Sequence, residues 1–170
     1  MPDFRSLLTD GRIHFFDGGF GALLQSRGLP PGVAPEMFGL KNPEPVAAIH
    51  AEYATSGAEV VTTNTFGGTR FKLDPGMDAR ALNAALARTA KQAVAGRAFV
   101  AAREASEILS RHLPVGITMT FEGAKSLTGT TPLTFIDTMQ NLGVDLLGTN
   151  CSAGPEQIVD IVRAMLPRLS

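Results

Sequence analysis

Cysteine, excess charge of either sign and long apolar runs are all scarce in this chain. The single cysteine, Cys151, has no partner for an intrachain disulfide. A reducing, cytoplasmic location is therefore expected. Fifteen Lys and Arg against sixteen Asp and Glu leave a net charge of −1, which excludes the basic footprint of a nucleic-acid partner. No run approaches the roughly 18 apolar residues of a membrane span. No apolar signal core follows Met1-Pro2-Asp3-Phe4-Arg5 either, so no membrane partner is expected. Also missing is a Gly-x-Gly-x-x-Gly after any apolar run, which weakens a dinucleotide-binding reading.

What remains is ordinary globular material. With 170 residues, 44% apolar and 18% charged, the chain can bury one sizeable core. Its pattern alternates β-like and helical runs. Ile13-His14-Phe15-Phe16, Ala58 to Thr63, Val115 to Thr120 and Val144 to Thr149 read as strands. Helices are expected from Ala22, from Pro43 to about Ser56 with Asn42 as cap, from Pro132 to Leu142 and from Pro155 to about Leu166. The last carries Ile158, Ile161, Val162 and Met165 on one face. The Pro- and Gly-rich stretch Gly28 to Asn42 reads as a loop. Strands separated by helices imply a parallel sheet, in either an open doubly wound form or a closed eight-fold barrel.

One region breaks the alternation. From Asp78 to about Arg111 the residues are almost all helix formers, with Gly96 the sole interruption. A continuous helix of that length would reach about 50 Å. Two helices broken near Gly96, or one long projecting helix, are expected, with no strand between them.

In parallel α/β folds, chemistry collects where strands end. Those positions hold Asp17, Asn64 with Thr65, Thr120 with Phe121 and Glu122, and Asn150 with Cys151. Turn propensity alone would also place Asp and Asn there. The three histidines, His14, His50 and His112, fall away from strand ends and are expected to be structural.

Several segments resemble the homocysteine S-methyltransferase family, in order along the chain. They are Asp17-Gly18-Gly19-Phe20-Gly21; Asn42-Pro43-Glu44-Pro45-Val46 with Ile49, His50 and Tyr53; Thr63-Asn64-Thr65-Phe66-Gly67; Gly129-Thr130-Thr131-Pro132; and Gly143 to Cys151 with Gly154-Pro155-Glu156. The resemblance implies a (β/α)8 TIM-type barrel and a homocysteine sulfur bound to zinc. A coordinated thiol is deprotonated at neutral pH, so the metal supplies a thiolate that takes a methyl group. The donor would be cobalamin on another module of the full protein, as in methionine synthesis, or a small sulfonium or ammonium compound. By the same resemblance Cys151 is the first of three zinc cysteines. Asp17, Gly19, Phe20 and Asn64 become substrate-binding residues, with Asp17 and the N–H groups around Gly19 and Phe20 receiving the amino-acid end. No residue is assigned a directly catalytic role.

Two departures from the family affect this reading. Gly96 passes straight to Arg97-Ala98-Phe99, so strands 3 and 4 are expected to be missing in part, with a discontinuity near 96–97. The chain also stops before strands 7 and 8 and the paired cysteines, against about 250 residues for a complete barrel. One thiolate does not make the usual four-ligand zinc site. The sequence therefore reads as a partial homocysteine-binding barrel over 1–170, and whether it is an active enzyme stays open. A non-catalytic remnant or scaffold of the same barrel is the alternative. An unrelated phosphate-binding enzyme would require an anion at Gly67-Gly68.

Overall fold

In the computed structural model, residues 4–101, 115–151 and 154–169 are described. The chain divides into two units, Met1–Ile108 and Leu109–Ser170.

The first unit is built around two parallel strands joined by a helix. Helix α1 spans Phe4–Thr9, α2 Phe20–Ser26, α3 Pro35–Lys41, α4 Pro43–Thr55 and α5 Ala79–Val94, with strands β1 (Val60–Thr62) and β2 (Phe99–Ala101). Strands β1 and β2 pair in parallel, Val60 opposite Phe99 and Thr62 opposite Ala101. The α5 connection between them meets the requirement of parallel neighbours for a long crossover. Asp78 starts α5 by accepting from the N–H groups of Arg80 and Ala81 at 2.9 and 3.1 Å. The helix then buries Leu82, Leu86, Ala90 and Val94, one residue per turn along a single face. It ends where Ala95 and Gly96 take left-handed φ values of 49° and 78°.

Here the structure corrects the sequence reading. Residues 97–101 do not resume a helix: Ala98 is buried and Phe99–Ala101 form a strand. The helix formers on both sides concealed it, since three residues are too few to show a period. A strand therefore does follow Val94-Ala95-Gly96, where one was expected to be lost. The remainder of the expected helical run, 102–111, lies outside the described residues, as does His112.

Three smaller corrections concern the segments before β1. The expected strand 13–16 is reduced to a single parallel bridge, Phe16 to Val60. The expected loop from Gly28 to Asn42 contains α3, opened by Pro35 at its first position and Glu36 in its first turn. Asn42 precedes α4 as expected, but its side chain serves the previous helix, donating to the Phe38 carbonyl at 3.1 Å. Two clusters fill the interior. Phe20, Leu24, Leu29, Val46 and Ile49 join α2 to α4. Ala58, Val61, Val94 and Ala98 join β1 and β2 to α5, with Tyr53 packed against both clusters.

The second unit repeats the scheme with β3 (Gly116–Met119), α6 (Pro132–Asn141), β4 (Leu146–Thr149) and α7 (Pro155–Met165). A short 3-10 turn, Leu166–Arg168, follows. Strands β3 and β4 pair in parallel, Gly116 opposite Leu146. Thr131 caps α6 by accepting from the Thr134 N–H at 3.2 Å. Phe121, Phe135, Ile136, Ile161 and Met165 form the core beneath the strands, with Phe121 and Phe135 edge to face at 6.0 Å. Of the apolar face expected on α7, Ile161 and Met165 are buried, whereas Val162 is 38% exposed.

Both sheets are therefore parallel and both crossovers helical. This is the α/β class read from the sequence.

Candidate functional site

The chemistry-bearing residues of the first unit gather at the C-terminal end of β1. Asp17 follows the bridge at Phe16, and its N–H donates to the Val60 carbonyl at 2.9 Å. Its carboxylate turns to the end of the strand. Oδ2 accepts from the Thr62 N–H at 2.9 Å, and the Thr62 hydroxyl donates to Oδ1 at 3.0 Å and Oδ2 at 3.1 Å. Asp17 thus ties the turn at Gly18-Gly19 to β1. Gly18 lies against Tyr53: a Cβ there would meet the Tyr53 hydroxyl at 3.2 Å. Gly19 precedes the first residue of α2, Phe20. The Phe20 ring is buried and stacks on the His50 imidazole with centroids 4.8 Å apart.

His50 is fully buried, and among the described residues neither ring nitrogen has a hydrogen-bond partner. Burial alone pushes its pKa down to about 4, because the charged form cannot be solvated there. It is a neutral ring in the interior. His14 differs. Its Nδ1 lies 3.0 Å from Glu59 Oε2 and its Nε2 2.9 Å from Asp10 Oδ1. The bond to Asp10, reinforced by Glu59, raises its pKa against the opposing effect of burial. The same bond holds the Asp10 carboxyl below its usual range.

After β1 the chain runs through Thr63-Asn64-Thr65, all three buried. The Thr63 and Thr65 hydroxyls are 2.7 Å apart. Asn64 Nδ2 donates to the Pro35 carbonyl at 2.8 Å, fastening the loop to α3. Close approach is possible because α3 carries Gly39, where a Cβ would stand 2.7 Å from Asn64 Nδ2. A second fastening comes from Glu36, which is 4% exposed and accepts from the Gly67 N–H. The sequence reading missed Glu36. The signal was present in Pro35-Glu36, a proline and an acidic residue in the order that opens a helix. The Glu36 side chain also argues against an anion site at Gly67-Gly68, because it already occupies the Gly67 N–H.

A cavity of about 800 Å³ opens at this end of the unit. Phe20 and Asn64 line it, together with Glu36, Thr63, Lys41 and Lys72. Asp17 and Gly19 stand beside it, outside its lining. Of the four residues read as substrate-binding, the structure places two in one cavity and two in the adjoining turn.

Cys151 belongs to the second unit and follows β4, exposed, with φ 61° in the left-handed region. Asn150 Nδ2 donates to its sulfur at 2.9 Å. The strand-end neighbours after β3 divide: Phe121 is core, whereas Glu122 is exposed and its N–H donates to the Lys125 carbonyl at 2.8 Å. Among the described residues, no three His, Cys, Asp or Glu side chains lie close enough to hold a metal. One exposed thiol with an amide neighbour does not fit a zinc centre, which takes four ligands.

Comparison with known proteins decides the family. The model of the homocysteine S-methyltransferase family matches residues 14–104 and again 97–169. The chain belongs to the homocysteine S-methyltransferase family. The two matches follow in order and share residues 97–104, which include β2. Among solved structures, the metallated form of the homocysteine methyltransferase MmuM from Escherichia coli is 18% identical with a TM-score of 0.50, covering 96% of this chain and 62% of MmuM. The oxidized form of MmuM is 19% identical with a TM-score of 0.48, covering 96% and 61%. The chain thus spans about 62% of the length of the structure it matches. At this identity the likeness concerns the fold. No curated protein sequence matches the chain.

The sequence resemblance to this family is thereby confirmed, along with the parallel α/β class. Among the described residues, no helix is long and apolar enough to cross a membrane.

Proposed function

We propose that this chain forms the homocysteine-receiving part of a (β/α)8 barrel whose complete form methylates the homocysteine sulfur in methionine synthesis. The observation that carries the reading is the family match, which runs through both units and includes the turn at Asp17 and the loop at Asn64. The geometry supports it. Asp17, secured to Thr62, fixes the turn so that the N–H groups at Gly19 and Phe20 receive the ligand's carboxylate. Asn64, Phe20 and the cavity they line receive the rest of the molecule. Phe20 contributes an apolar wall suited to the methylene chain.

Activation of the thiol is a separate matter. The described residues supply one thiol, Cys151, and no set of ligands around it. No step is derived through zinc, and the methyl donor, whether cobalamin on another module or a small molecule, lies outside the residues seen here. The discontinuity inferred from the sequence stays near 96–97, at the start of the segment 97–104 that both family matches share. The cytoplasmic location also belongs to this proposal.

The same donor set favours a second reading, in which the chain is a non-catalytic remnant that retains the amino-acid cavity without the metal. Titration calorimetry and metal analysis on the intact protein separate the two. Both readings expect one molecule of L-homocysteine bound per chain. Zinc at one equivalent, lost on substitution Cys151→Ala, would establish the enzyme; zinc far below one equivalent would establish the remnant. Absence of homocysteine binding would refute both.

A further inference from the structure

We infer that His50 is a positioning residue for ligand binding: its flat ring holds Phe20, and with it the N–H groups at Gly19 and Phe20 that receive a ligand carboxylate. The inference rests on the homocysteine reading above. Two side chains of α4, three residues apart and so on one face of the helix, support the turn after Asp17 at separate points. The Tyr53 hydroxyl lies beneath Gly18, 3.2 Å from where a Cβ would stand. The His50 ring lies against Phe20, with centroids 4.8 Å apart and planes at 36°. Phe20 is the first residue of α2 and lines the cavity, whereas His50 stands outside the lining. His50 therefore acts on a ligand through Phe20.

A histidine is a costly choice for this position. The ring is fully buried and, among the described residues, both nitrogens are without a hydrogen-bond partner. Burying polar atoms unsatisfied destabilises the fold. An apolar side chain would avoid that cost, as Val46 and Ile49 do on the same helix. The apolar alternatives fail on shape. Leucine fills a similar volume but has no flat face for Phe20 to stack on. Phenylalanine has the face, yet its larger ring would overpack a site with no exposure and push Phe20 outward. Histidine carries the smallest flat ring of any side chain. Burial keeps it neutral, so the contact is ring stacking rather than a cation over the Phe20 face. The position gives up stability for the placement of Phe20, as ligand sites do.

The substitution His50→Leu separates a positioning role from a structural one, because it removes the unsatisfied nitrogens and the flat face together. Calorimetric titrations of the full chain would use L-homocysteine and 3-aminopropane-1-thiol, the same aminothiol without its carboxylate. Wild-type protein should prefer homocysteine by about ten-fold or more, the scale of a hydrogen bond to a charged group. At neutral pH His50→Leu should resist denaturant at least as well as the wild type. It should nevertheless lose most of that preference, binding homocysteine more weakly and the carboxylate-free thiol unchanged. His50→Met, whose unbranched chain adapts to irregular space, gives the same comparison if His50→Leu does not fold. A preference retained in the folded variant would overturn the inference. So would both ligands weakening alike in step with a loss of stability, or equal wild-type affinity for the two thiols. In those three cases homocysteine still binds and the homocysteine reading stands. No homocysteine binding by the wild type would overturn both.

Discussion

Two histidines of the first unit respond to pH in opposite ways, and the difference follows from what surrounds each ring. His50 is buried with no hydrogen-bond partner among the described residues, and its pKa falls from 6.5 to about 4. Because its folded-state pKa is depressed, its contribution is complete above the unfolded value near 6.5 and is lost as pH falls through about 4. The linkage over that interval is about 3 kcal/mol. Substituting His50→Leu should remove both orphan nitrogens and flatten the acid limb. Chemical denaturation between pH 7 and about pH 4 should show the wild type losing stability that the variant keeps. Equal losses would place the acid sensitivity elsewhere.

His14 works the other way. Its pKa is raised, chiefly by Asp10, so its stabilising effect is complete below the unfolded value near 6.5 and fades as pH rises through the folded value. The difference in melting temperature between wild type and His14→Gln should narrow as pH rises from about 6 to about 9, the range in which imidazole titrates. A difference that stays constant with pH would mean that the His14 contacts to Asp10 and Glu59 hold the ring without the proton.

At the scale of elements, long periodic segments were legible in the sequence and short ones were not. Helices α4, α6 and α7 start at Pro43, Pro132 and Pro155, as the proline and capping signals indicate. Strand β2 was hidden, because Phe99–Ala101 is three residues long and flanked by alanine, arginine and glutamate. Its identity is set by tertiary contact, through pairing with β1 and burial of Ala98 beside Val61 and Val94. Helix α3 was hidden in a Pro- and Gly-rich stretch whose composition argues for a loop. It is held there by packing and by Glu36 and Asn64.

The energetics of α5 offer a test at this scale. Leu86 is 1% exposed on the buried face of the helix. Leu86→Ala should cost about 2–5 kcal/mol of stability. Asp78→Ala, which removes only the cap, should cost about 1 kcal/mol. Denaturant melts of the two variants give the comparison. A Leu86→Ala cost below that of the cap would mean that α5 is not packed along the face bearing Leu82, Leu86, Ala90 and Val94.

For the molecule as a whole, the candidate site was partly legible. Asp17 and Asn64 could be selected because strand ends are where parallel α/β proteins keep their chemistry, and the structure sets both at the end of β1. Glu36 could not be selected that way. It comes from a helix the sequence concealed and reaches the site through a fold contact with Gly67, thirty-one residues away. Cys151 was singled out by resemblance; the structure shows an exposed thiol after β4 with Asn150 as its neighbour.

The central claim is that an amino-acid thiol binds at the β1 end of the first unit. Its most direct test is a titration of isotope-labelled protein with L-homocysteine, followed by backbone amide chemical shifts. The account expects saturable shifts concentrated at Gly19, Phe20, Asn64 and Gly67, with little change at Thr118 or Gly148 in the second unit. Shifts confined to residues 115–169, or none at millimolar ligand, would contradict it.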